Sequence, residues 1–327
     1  MTPDRRITPS QLALFSRSPV IGAWWEEVHA TTPERAPRPK TKALDELLFE
    51  AGLKHEEVLV ERLKADGKTV VKLDGEQRDA DYAATEAAMR SGADYIWQAS
   101  MRNDEMRGSA DLLERIEQPS KLGAWSYIPI ECKLSSHPKP IYLVQACAYC
   151  ELLTPILGER PEQFKLYLGG AQFKPYRSSE FWSWYQQLRQ RYRDFRASFD
   201  PNQEPEDAPG DHGQWEPFIE DRLESKRDLI LVAGMRQSQR YKLRAAGITT
   251  IDALASCQTI SGWKPLIQPC SLACVTKPRS RSPRNRAATI ALPIRSALWS
   301  NRPRAWRCSR LRIPVISGLT WRAIPIR

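Results

Sequence analysis

The chain has 327 residues, 49 Lys+Arg against 39 Asp+Glu, with 41% hydrophobic and 9% aromatic residues. That suffices for one large domain or two modest ones around a sizeable core. No run approaches eighteen apolar residues, which on run length excludes a membrane span. The polar N-terminus lacks the apolar segment of a secretion signal, so a cytoplasmic location and mostly reduced cysteines are expected.

Thr8-Pro-Ser-Gln reads as a capped helix start with Pro9 in its first turn. Residues 31–42 are rich in Thr, Pro, Arg and Lys and read as a loop. Ala43 to Ala65 is an amphipathic helix, since Leu44, Leu47, Leu48, Val58, Leu59 and Leu63 recur at helical spacing. Thr69–Leu73 reads as a strand and Asp79–Arg90 as an Ala-rich helix. Three strand-like segments follow at Tyr95–Met101, Arg107–Ile116 and Ala124–Lys133, then a helix from about Ile141 to Leu153. Phe164–Leu168 and Ala171–Phe173 read as short strands, and Ser178–Phe199 as a polar-aromatic helix. This order predicts an α/β domain over residues 1–200, with a mixed sheet flanked by helices.

A Pro/Glu/Asp/Gly segment from Asp200 to Asp211 reads as a linker. Beyond it, two short helices joined at Gly247 suggest a helix-hairpin-helix element, so residues 201–256 form a linker and hairpin region. Such a turn offers backbone amides to a phosphate, and Arg240, Lys242 and Arg244 could add charge. A plain packed hairpin is an equal alternative. Residues 257–327 hold 14 Lys+Arg and no Asp or Glu, leaving residues 1–256 acidic by four charges. Basic disordered arms are poor in Trp and Cys, yet this tail has four of each. A reading-frame error explains it better than a nucleic-acid-binding arm or a small domain, so no native domain is expected there. Stepping the frame back one nucleotide permits a strand-like LWFDMEGDP near the end.

Strand alternation over Ala124–Lys133 puts Tyr127, Pro129, Glu131 and Lys133 on one face and Ile128, Ile130 and Cys132 on the other, apolar face. If the strand carrying Gly108-Ser-Ala-Asp111 pairs alongside, Asp111 reaches the same edge as Glu131. Two carboxylates there make a hard oxygen site suited to Mg²⁺ or Mn²⁺. Lys133 could orient water or neutralise a phosphate. Gln145 and Tyr149 share a helix face and could contact a nucleic-acid backbone, Tyr149 also by stacking on a base. His55 could supply a nitrogen ligand, and Glu56 follows it.

The succession Gly52-Leu-Lys-His55-Glu56, Gly108-Ser-Ala-Asp111, Ile130-Glu131-Cys132-Lys133 and Gln145-Ala-Cys-Ala-Tyr149 resembles the RecB-like branch of the PD-(D/E)XK nucleases. The resemblance covers roughly residues 5–256. It implies a restriction-endonuclease-like fold and a DNA nuclease of repair or recombination, with exonuclease activity. His55, Asp111, Glu131 and the Cys132 carbonyl would hold the metal. Lys133 would serve catalysis, and Gln145 with Tyr149 would position single-stranded DNA or duplex ends. Relatives of this type carry a ribonuclease-H-like domain that opens on Asp-x-Glu, a form the reframed LWFDMEGDP shares.

Many RecB-like nucleases hold an iron–sulfur cluster, with one N-terminal cysteine. Here that position reads Ser16-Arg-Ser-Pro19, and between Tyr149 and Ser256 only Cys150 occurs, so no cluster is expected. Cys147-x-x-Cys150 has metal-ligand spacing but reads as helix packing. No GxxxxGK[ST] loop is present, so helicase activity would have to come from a partner. The rival readings are a non-catalytic nucleic-acid-binding module and an inactive truncated fragment.

Overall fold

Thr8 caps the first helix as its sequence requires. Its hydroxyl accepts from the Gln11 amide, the Gln11 side chain accepts from the Thr8 amide, and Pro9 takes the first turn. The computed structural model describes residues 4–39, 43–76 and 79–257, all within one compact unit. Of the tail, all but Cys257 lies outside the described residues, and the frame-error reading lies there with it. Helix α1 (Pro9–Arg17) is followed by α2 (Gly22–Thr31), inside which Ala23 to Val28 are all buried. A helix covered all round shows no amphipathic stripe, which is why periodicity does not reveal it.

The expected order then appears: α3 (Ala43–Ala65), β1 (Val70–Lys72), α4 (Asp79–Arg90), β2 (Tyr95–Arg102), β3 (Arg107–Ile116), β4 (Ser126–Lys133), α5 (Pro140–Leu157), β5 (Gln163–Leu168), β6 (Gln172–Arg177) and α6 (Ser178–Ala197). The six strands form one mixed sheet in sequence order. β1 and β2 run parallel across α4, β4 and β5 run parallel across α5, and the other neighbours are antiparallel. On one face, α1, α4, α5 and α6 build the main core with residues such as Met89, Leu152, Tyr127 and Tyr185. On the other, α3 places Leu59, Val60 and Leu63 against Trp97, Leu112, Ile130, Cys132 and Tyr167. The expected alternation of β4 holds, with Tyr127 on the α5 side and Ile130 and Cys132 on the α3 side, and Ser126 to Cys132 are all buried because helices cover both faces.

Two strands depart from simple alternation at one place. Along β2, Ile96 and Ala99 face the α5 side while Trp97 faces α3; along β3, Ala110 and Leu113 face the α5 side while Leu112 faces α3. Both strands slip by one residue, and the slip falls at Gln98 and Asp111. The ladder passes from Trp97–Leu112 to Ala99–Ala110 without them. Gln98 sits at φ +58°, a left-handed conformation that costs a residue with a Cβ about 1 kcal/mol.

By length and composition alone, α5 could cross a membrane, contrary to the run-length exclusion. Ten of its residues are buried in the domain, including Leu152, Leu153, Cys147 and Cys150, which accounts for its apolarity. The two cysteines are packing residues, as their place in a helix suggests.

The split between residues 1–200 and 201–256 also needs correction. The Asp200–Asp211 segment is a packed strap: Asp200 accepts from Trp24 Nε1 at 3.2 Å, and Asp207 is 3% exposed. Just past it, His212 Nδ1 meets Ser18 Oγ at 2.7 Å. A 3₁₀ turn (Gly213–Trp215) and α7 (Glu216–Ser225) then seal Trp215, Ile219 and Leu223 against Trp24, Trp25 and Val28. Trp215 Nε1 donates to the buried Glu26 at 2.8 Å. The last helices among the described residues, α8 (Gln237–Ala245) and α9 (Ile251–Ser256), lie on either side of Gly247 at φ +82°, with Leu243, Ile248 and Leu254 gathered around Leu229. A chain cut to residues 1–200 is therefore expected to expose the tryptophan cluster and lose cooperative unfolding. One ending at 257 should melt in a single transition by circular dichroism.

Candidate active site

The slip at Gln98–Asp111 creates the site. The β3–β4 ladder begins at Leu112–Ile130, so the two strands separate beyond that pair. Asp111, released from its own ladder, turns its carboxylate across the gap, where Oδ2 accepts from the Cys132 amide at 2.7 Å. Glu131 and Lys133 project on either side of Cys132. The Lys133 ammonium forms an ion pair with Glu131 Oε1 and stands 3.9 Å from Asp111 Oδ2. The three predicted catalytic side chains thus converge.

Two glycines make this geometry possible by close approach. A Cβ on Gly108 would stand 2.8 Å from Pro9 Cδ and 3.3 Å from Tyr149 Cε1, so its bare backbone lets α1 and α5 close over the sheet three residues before Asp111. A Cβ on Gly169 would collide with the Leu134 carbonyl oxygen, while the Gly169 amide donates to Ser135 O at 3.1 Å. The loop leaving Lys133 is thereby held against the β5–β6 turn.

A third carboxylate joins the pair. Glu56 is 9% exposed and accepts from Trp97 Nε1 at 3.0 Å and from Gln98 Nε2 at 2.7 Å. No role follows for it from motif order, but a signal exists: Glu56, Leu59, Val60 and Leu63 form the buried stripe of α3 at i, i+3, i+4 and i+7. A glutamate on such a stripe needs a partner or a purpose. Burial raises the Glu56 carboxyl above its ordinary range, and Asp111 raises it further. Burial likewise lifts Asp111, against the opposing pull of Lys133 and the Cys132 amide. Glu131 is pushed up to about 8 by burial and then by Asp111, with Lys133 opposing. Burial disfavours the Lys133 charge, yet Glu131 and Asp111 outweigh it and hold the ammonium protonated. Three buried carboxyl groups share one cation, so the site is short of the positive charge needed to ionise all three.

That shortage fits a divalent cation. Two further atoms fit it: Glu131 Oε2 and His55 Nε2 are buried without a hydrogen-bond partner. The His55 ring stacks on Tyr167 at 4.6 Å, and Tyr167 lies opposite Cys132 in the β4–β5 register. Among the described residues, however, no three His, Cys, Asp or Glu side chains already enclose a metal position. Lys133 bridges the carboxylates instead.

The expected DNA contacts divide. Gln145 is half-buried, but Tyr149 is 5% exposed with its ring in the core, so it is not a platform for base stacking. Burial raises its hydroxyl, and Glu131, Asp111 and Glu56 all add to the rise, which places it beside the acidic centre. Lys242 is exposed and Arg244 partly so. Arg240 is corrected outright. It is 2% exposed, grips both Asp228 oxygens at 2.7 Å, and donates to Asp207 O at 2.9 Å. Its charge is spent inside the fold and is not presented to DNA. Arg240→Ala is expected to leave the buried Asp228 with only Arg244, 3.7 Å away, to oppose its charge, costing about 3 kcal/mol in chemical denaturation.

Comparison of the chain with protein-family models and with curated proteins finds no match in either.

The raised Glu131 carboxyl carries a stability signature. In the unfolded chain it titrates near the ordinary 4.5, but in the fold at about 8. Between those values the unfolded state releases its proton first, so stability falls as pH rises and the loss is complete above the folded value. In chelator, the melting temperature should decline from pH 5 to pH 9, and Glu131→Gln should flatten that decline. A Glu131→Gln profile as steep as that of the parent protein would remove this assignment.

Proposed function

We propose that the protein is a metal-dependent nuclease that hydrolyses DNA phosphodiester bonds, with Asp111, Glu131 and Lys133 as its catalytic residues. The observation that carries this reading is the meeting of Asp111 with Glu131 and Lys133 where β3 and β4 part. The motif order resembling RecB-like nucleases supports it and sets the chemistry in DNA repair or recombination, with a helicase as the natural partner. Asp111, Glu131 and the Cys132 carbonyl would hold Mg²⁺ or Mn²⁺, with His55 Nε2 as a nitrogen donor. When bound, such an ion polarises the phosphate and lowers the pKa of coordinated water.

The residues of the chain contribute the rest. Glu56, fixed by Trp97 and Gln98, sets a third carboxyl group near Asp111, which would add to the attraction for a divalent cation. With an ion held by the carboxylates, Lys133 would no longer be needed as the partner of Glu131 and would be free to face the phosphate. Its ammonium then offsets charge developing on the phosphate, at a site mostly closed to water. Tyr149 places a protonated hydroxyl beside the centre, while Gln145 on the same helix face is more open to the substrate.

The test is cleavage of end-labelled single-stranded and blunt duplex DNA with Mg²⁺ or Mn²⁺. Asp111→Ala, Glu131→Ala and Lys133→Ala should each lower the rate about 10²–10³-fold with the fold intact by circular dichroism. Metal-dependent cleavage unchanged in all three variants would refute the reading. DNA binding without cleavage at any metal concentration would favour a non-catalytic module.

A further inference from the structure

The end of the sheet away from the acidic centre holds a polar cavity of its own. β4 opens there at Ser126 and reaches the centre only at Lys133, so at about 3.3 Å per residue the two places stand roughly 23 Å apart. The cavity, of about 470 Å³, lies between the turn after β3 and the exit of α5, and Gln118, Lys121, Ser126, Glu159 and Arg160 line it. Two of these are cations, and neither has an ion-pair partner among the described residues. Glu159, the acid of the lining, is exposed and pairs with neither.

Both cations are held in place. The Arg160 guanidinium lies 4.1 Å from the centre of the Trp182 ring, which packs in turn on Tyr185 at 5.2 Å. Arg160 Nε is buried without a hydrogen-bond partner. The Lys121 amide donates to Leu157 O at 2.8 Å, and the lysine stem runs along Gly158. A Cβ on that glycine would stand 2.8 Å from Lys121 Cγ and 3.0 Å from Cε. At φ +91° Gly158 both ends α5 and leaves room for the stem. Just past it, the Glu159 and Arg160 amides donate to no acceptor among the described residues.

We infer that this cavity binds a dianionic phosphate, either inorganic phosphate or the terminal group of a small phosphomonoester. A guanidinium pinned on an indole ring offers a preset fork to two phosphate oxygens, an ammonium adds a point charge, and the amides are neutral donors. Two cations match a dianion, whereas a phosphodiester carries a single charge. The site is remote from the carboxylates and does not depend on the nuclease reading. The other role open to the pair is to complement the negative end of α5, and the two roles differ in whether phosphate is bound.

Isothermal titration calorimetry of the full chain with inorganic phosphate is the test, in chelator so that no metal ion draws phosphate to the acidic centre. One phosphate should bind per chain. Lys121→Met and Arg160→Gln keep much of each stem and should each weaken binding about tenfold. Arg160→Lys, which keeps the charge without the fork, should fall between Arg160→Gln and the parent protein. Glycerol 3-phosphate and dimethyl phosphate are further arms. Binding of inorganic phosphate alone makes the free ion the ligand, and comparable binding of the monoester extends the site to phosphorylated small molecules. Dimethyl phosphate held as tightly as inorganic phosphate would overturn the dianion. Absence of saturable binding would overturn the inference, and so would affinity unchanged in Lys121→Met and Arg160→Gln. Variants that melt below the parent protein by circular dichroism, in a chain that binds no phosphate, would assign the cations to the helix end instead. If Arg160→Gln fails to fold, Lys121→Met and Arg160→Lys decide, and parental affinity in both overturns the site.

Discussion

One ammonium group holds the centre of this molecule together. Glu56, Asp111 and Glu131 are drawn into a region largely closed to water, and isolated carboxylates there would shed their charge or force the strands apart. Lys133, two residues after Glu131, pairs with it and stands within reach of Asp111. The pairing is incomplete in charge, because one cation faces three acids. The fold therefore stores an electrostatic tension that a second positive charge would release.

The backbone makes that arrangement possible. A regular antiparallel ladder between β2 and β3 would have kept Asp111 paired with Gln98, its side chain committed to one face. The shared slip at this pair, with Gln98 in a left-handed conformation, lets Asp111 turn toward the Cys132 amide. The departing β3 opens the gap, while α5 on one side and α3 on the other close it. The same Gln98 then supplies a hydrogen bond to Glu56. Local strain in β2 is offset by an interaction it makes possible.

Much of this was legible in the residues. The element order, the mixed sheet and the convergence of Asp111, Glu131 and Lys133 follow from periodicity, strand spacing and motif order. The failures have physical causes. Helix α2 is buried on every side and so lacks a stripe, and alternation along β4 does not reveal that α3 covers its second face. The slip at Asp111 depends on a positive φ in a glutamine, which no composition rule announces. Arg240 looks like a surface cation because its partner, Asp228, lies twelve positions earlier, in a stretch that reads as apolar. Tyr149 shares a helix face with Gln145, yet periodicity does not say which helix face the core claims.

Gly169 illustrates how far the centre's tolerances extend. It touches none of the carboxylates and its conformation is ordinary, so nothing in its own surroundings marks it as critical. Yet even a methyl group there would have to displace the peptide just beyond Lys133. Because that lysine is anchored through a short tether, the disturbance would arrive as a misplaced charge rather than as a hole in the core. A chain bearing alanine at 169 could keep its core intact and yet carry Lys133 away from its carboxylates, a lesion that thermal screening would pass as benign.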